Sequence, residues 1–94
     1  MLFCLIYTDK PNALELRLAN REAHLKYWGE AACVKIGGPF TNDDASVMNG
    51  SLLVIDVADR AAAERLVAND PYNKAGLFQH TDIRAWKWLL GPQQ

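Results

Sequence analysis

Residues Leu2 to Thr8 are apolar on both alternating faces, with Leu2, Cys4 and Ile6 on one and Phe3, Leu5 and Tyr7 on the other. Side chains of a strand point alternately to opposite sides, so a strand here demands cover above and below. Ser51 to Val57, rich in branched residues, makes the same demand and is expected at the centre of a sheet. The chain has 94 residues, which leaves room for two helices, and two helices cover one face. The second face then needs another source of cover, and a second copy of the chain is the simplest. A homodimer with its sheets facing each other is the expectation.

The remaining pattern supplies the two helices. Asp9-Lys10-Pro11-Asn12 is turn chemistry, and Asn12 with Glu15 three residues on resembles a capping box. From there to about Ala32, Leu14, Leu18, Leu25, Trp28 and Ala32 fall near one stripe, so a helix is predicted with that stripe inward. Asn20 and Gly29 weaken it and mark places for a bend. Cys33 to Ile36 reads as a short strand ended by Gly37-Gly38-Pro39, and Thr41 to Asn49 as an exposed loop. Asp59 can cap a second helix. That helix must stop near Asn69, because Pro71 disfavours helical geometry at Asp70. A helical turn fits Tyr72 to Gly76, and a last strand fits Thr81 to Leu89, with Trp86 and Trp88 on one face. The order is β-α-β-β-α-β in one domain, 1–94, so the fold class expected is α+β, a ferredoxin-like βαββαβ fold in a dimeric α/β barrel-type assembly.

Composition narrows the function classes. Ten basic and eleven acidic residues give a net charge of −1, no footprint for nucleic acid or a membrane surface. No apolar run approaches the ~20 residues of a membrane span, and the apolar N-terminus lacks a basic leader. A cytoplasmic protein is expected. Cys4 and Cys33 sit in apolar runs, read as buried thiols, and neither they nor His80 shows metal-ligand spacing.

The residues that can carry chemistry are few. His24 lies in Arg21-Glu-Ala-His24-Leu25 and Asp70 in Asn69-Asp70-Pro71-Tyr72. Histidine changes protonation near neutral pH, and a carboxylate can orient its ring and stabilise its cation. Brought together, the pair forms a general acid/base dyad. The plainer alternative makes His24 a surface histidine and Asp70 a turn former. Arg17, Arg21 and His24 at i, i+4, i+7 line one flank of the first helix, a cationic edge suited to a small anionic or phenolic ligand. The alternative is a solvated helix face. Gly37-Gly38-Pro39 permits close backbone approach at a strand end, although a simple strand terminator also fits. Ser51 can donate a hydroxyl into a pocket, but no nucleophile motif surrounds it. Tyr72, Phe78, Trp86 and Trp88 read as core or interface.

Taken in order, Arg17-Leu18, Arg21-Glu-Ala-His24-Leu25, Gly38-Pro39, Gly50-Ser51, Asn69-Asp70-Pro71-Tyr72 and Ala75-Gly76 resemble the YCII (YciI-like) family across nearly the whole chain. The resemblance implies a dimeric ferredoxin-like fold and a histidine–aspartate pair in a cleft, carried here by His24 and Asp70. It also implies the chemistry of a known activity within that family, dehydrochlorination of a chlorinated hydroxyhydroquinone in the breakdown of chlorinated aromatics. The chain departs from the family pattern between His24 and Gly38-Pro39, where Trp28-Gly29 replaces a longer helix end.

The expected function is that of a cofactor-free enzyme. His24 would act as base and Asp70 as its orienting partner. Arg17, Arg21, Gly38, Ser51 and Tyr72 would hold a compact aromatic or quinol-type substrate. Two alternatives remain at this level: a non-catalytic metabolite-binding or accessory dimer with the same cleft, and a cofactor-free monooxygenase on the same architecture.

Overall fold

A computed structural model describes residues 1–92. Its elements are β1 (Leu2–Asp9), α1 (Leu14–Ala31), β2 (Val34–Thr41), β3 (Met48–Asp56), α2 (Arg60–Asn69), α3 (Pro71–Lys74) and β4 (Phe78–Trp86). The strands form one antiparallel sheet in the order β2-β3-β1-β4. That order makes the fold ferredoxin-like, with β1 and β3 central. Tyr7 stands opposite Ser51 on one side and Thr81 on the other.

The helices cover one face. There Phe3, Leu5 and Tyr7 of β1 pack with Leu53 and Ile55 of β3, Ala63 and Val67 of α2, and Tyr72, Leu77 and Phe78 beyond it. The other face carries Leu2, Cys4 and Ile6 with their partners Val54 and Leu52. Ile36 and Phe40 of β2 and Trp86 of β4 remain 44%, 41% and 39% exposed. No helix among the described residues is long and apolar enough to cross a membrane.

Four local expectations are corrected. Asn12 does not cap α1: it takes a left-handed φ of 56°, and the N-cap, Ala13, makes no side-chain capping bond. Asn12 closes the turn instead, a conformation asparagine tolerates. The leucine stripe does not face inward, since Leu18 and Leu25 are 52% and 54% exposed. The buried residues of α1 are Arg17, His24 and Trp28, in a repeat offset by one residue from those leucines. Gly37-Gly38-Pro39 does not end β2, which runs on to Thr41. Proline is accepted there because β2 is an edge strand. Finally, β4 begins at Phe78 and ends at Trp86, so Trp88 lies beyond it.

At Asn20 and Gly29, the places marked for a bend, helix α1 continues unbroken. Two expectations about helix ends hold. Asp59 caps α2 by accepting from the Ala62 amide at 2.9 Å. Helix α2 ends at Asn69, and Pro71 to Lys74 forms the helical turn.

Candidate active site

Helix α1 presents its buried polar residues to the gap between itself, β2 and the start of β3. The resulting cleft, of about 460 Å³, falls in the size range of small-molecule sites. Arg17, Arg21, His24, Gly38, Ser51 and Tyr72 all line it. Asp70 stands behind them, fully buried.

The corner between α2 and α3 fixes Asp70. Its N–H donates to the Val67 carbonyl at 3.2 Å to close α2, and its Oδ1 accepts from the Tyr72 amide at 2.9 Å to open α3. Pro71 occupies the first helical position, where its missing N–H costs nothing. The carboxylate then reaches α1 twice. His24 Nδ1 lies 2.8 Å from Asp70 Oδ1, and Trp28 Nε1 donates to Oδ2 at 2.9 Å. Facing a carboxylate, Nδ1 is assigned the hydrogen, which leaves Nε2 as the acceptor. The His24 ring stacks on Tyr72 with centroids 3.9 Å apart and 15° between planes. Two contacts therefore hold the imidazole, one at its edge and one on its face.

A second polar network lies along the same helix. Arg17 is 3% exposed; its Nε and Nη2 donate to Asp9 at 2.7 and 3.0 Å, and Nη2 also donates to Ser51 Oγ at 2.8 Å. Its guanidinium carbon sits 4.7 Å from the centroid of the Tyr72 ring, within cation–π reach. Its Nη1 has no hydrogen-bond partner among the described residues. Arg21 is exposed at the cleft and forms no salt bridge among the described residues. Burial pushes the Tyr72 hydroxyl pKa up, although Arg17 and Arg21 oppose that shift. It stays a neutral hydrogen-bonding group near pH 7.

Three contributors were not expected. Asp9 read as turn chemistry, yet it continues the inward alternation Phe3, Leu5, Tyr7, and that parity was the available signal. Trp28 read as plain core, but it stands four residues after His24, on the same face of a helix. Tyr7 is fully buried with no hydrogen-bond partner for its hydroxyl among the described residues. Burial, with Asp70 next in effect, pushes its pKa far above the ordinary tyrosine value. Conversely, His80 is exposed on β4, away from the cleft. Among the described residues no group of three or more histidine, cysteine, aspartate or glutamate side chains is placed to hold a metal.

The YCII-related domain family model matches residues 1–87. The chain belongs to the YCII family. Within it, Protein YciI of Escherichia coli O6:H1 is 30% identical over 95 residues, 93% of this chain and 97% of the relative. Among solved structures, 5-chloro-2-hydroxyhydroquinone dehydrochlorinase (TftG) from Burkholderia phenoliruptrix AC1100, in complex with 2,5-dihydroxybenzoquinone, superposes with a TM-score of 0.84. It is 37% identical, and the match covers 93% of this chain and 94% of that one. A putative antibiotic biosynthesis monooxygenase from Bacteriodes thetaiotaomicron VPI-5482 gives a TM-score of 0.61 at 15% identity, over all of this chain and 93% of that one. That degree of identity shows a shared fold and nothing further.

Proposed function

We propose that this YCII protein is a small enzyme, a lyase that uses His24 and Asp70 as an acid/base dyad on a hydroxylated aromatic. Its most specific reaction would be dehydrochlorination of a chlorinated hydroxyhydroquinone. The observation that carries this reading is the 2.8 Å bond from His24 Nδ1 to the fully buried Asp70, with His24 itself on the cleft wall. The likeness to TftG supplies the substrate class.

His24 Nε2 accepts a phenolic proton, and Asp70 stabilises the imidazolium as it forms. Ionisation pushes electron density into the ring, and a proton returned to the chlorine-bearing carbon makes the keto tautomer. Removal of a second hydroxyl proton then expels chloride with its bonding pair and leaves a hydroxybenzoquinone. The ring loses HCl, and no oxidant or reductant is consumed. Arg21 and the two open Nη1 hydrogens of Arg17 offer charge to the phenolate or the leaving anion. Ser51, which accepts from Arg17, has its own hydroxyl hydrogen to give a substrate oxygen. Gly38 leaves room beside the ring.

The apolar outer face of the sheet supports a homodimer, with a second copy covering Leu2, Cys4, Ile6 and their neighbours.

The test is chloride release from 5-chloro-2-hydroxyhydroquinone, followed alongside quinone absorbance. Wild type should release chloride, and Asp70→Asn, whose amide can donate to Nδ1 and impose the wrong tautomer, should lose about 10²–10⁴-fold. A folded wild-type protein that releases none overturns the substrate assignment.

A further inference from the structure

Two residues at the end of α1 are each poor choices for their backbone position, and both line the cleft. Gly29 lies inside the helix, where glycine costs roughly 0.5–1 kcal/mol against alanine. No packing requires it, because a Cβ there would meet nothing within 4 Å. Three residues later Ala32 takes the left-handed C-cap with φ 55°, the position that favours glycine. Exchanging the two types would suit the helix better. Their placement suits the cleft, because it opens a gap at Gly29 and sets a methyl group at Ala32.

The neighbouring wall is apolar. Leu25, Val34 and Leu53 line the cleft with these two residues, and Leu25 is 54% exposed. Along α1 the polar groups Arg17, Arg21 and His24 come before Leu25, Gly29 and Ala32, and Ser51 is hydrogen-bonded to Arg17 at the polar end. Size points the same way: a closed apolar cavity of about 150 Å³ accommodates benzene, whereas this cleft measures about 460 Å³. One hydroxylated ring at His24 leaves the apolar end unfilled.

We infer that the substrate is a hydroxylated aromatic bearing an apolar substituent, with the hydroxyls toward His24 and the substituent between Leu25, Gly29 and Ala32. This rests on the reading of His24 as the reacting base. The apolar end is the specificity-determining part, and an unsubstituted ring is only a partial occupant.

Binding tests it separately from turnover. Resorcinol, 4-ethylresorcinol and 4-hexylresorcinol would be titrated calorimetrically into the intact protein, its Gly29→Leu variant and its Leu25→Ala variant. Wild type should bind more tightly by about threefold to fourfold for each methylene buried. Gly29→Leu should keep the affinity for resorcinol and lose the gain with chain length. Leu25→Ala, at an exposed position safe for folding, should lose part of that gain. An affinity independent of chain length in wild type overturns the inference while leaving the acid/base reading in place, as does an equal loss for all three ligands in Gly29→Leu. No binding of any resorcinol overturns the inference as well, whereas the acid/base reading stands or falls on the loss of turnover in His24→Ala.

Discussion

Arg17 and Arg21 are one turn apart on α1 and have unlike jobs. Arg17 is buried and holds Asp9 through two hydrogen bonds, so its removal strands a carboxylate away from water. Breaking such a pair by removing one partner costs about 3–5 kcal/mol, and Arg17→Ala should lose that much in urea denaturation. Arg21 is exposed, and Arg21→Ala should stay within about 0.5 kcal/mol of wild type while weakening binding of anionic phenolates. Tyr7 presents the opposite case, a buried hydroxyl with no partner among the described residues. Replacing it with an apolar ring of the same shape removes a desolvation penalty, so Tyr7→Phe should gain about 1 kcal/mol. The pH dependence follows from the raised Tyr7 pKa. The folded state favours the neutral phenol, so this contribution is intact below the unfolded tyrosine value of about 10 and falls as pH rises above it. Wild-type stability should therefore drop above about pH 10, and less steeply in Tyr7→Phe.

Helix α1 shows what the sequence made legible and what it concealed. Its existence and length follow from a repeat of three and four residues. Its phase does not, because leucines at 18 and 25 and polar residues at 17 and 24 repeat with the same period one position apart. Burial normally decides in favour of the leucines. Here buried hydrogen bonds to Asp9 and Asp70 stabilise the polar set inside, and Leu18 and Leu25 face out. Asp70 was legible for a local reason, since the proline after it fixes the helix corner. Asp9 was not, because its partner Arg17 is brought to it only by the packing of α1 on the sheet. The seven expected site residues do assemble, six on the cleft wall and Asp70 behind. The cost of Gly29 is also an element-scale quantity. Gly29→Ala should stabilise the protein by about 0.5–1 kcal/mol, a rise of a few degrees in Tm for a domain of this size, measured by thermal unfolding.

At the scale of the whole molecule, one sheet face is covered by helices and the other is not. A second copy over Leu2, Cys4, Ile6 and Leu52 would bury the half-buried apolar set that two helices cannot reach. Sedimentation should find a dimer, and Ile6→Glu, placing a charge at the middle of that face, should give a folded monomer. A wild-type monomer would remove the dimer from the account without touching the cleft. The reaction proposed for the cleft requires that His24 move the proton. Its most direct test is chloride release from 5-chloro-2-hydroxyhydroquinone by His24→Ala, with and without added imidazole. A loss of about 10²–10⁴-fold is expected, partly restored when free imidazole fills the space left by the side chain. A variant that works at the wild-type rate without imidazole would contradict it.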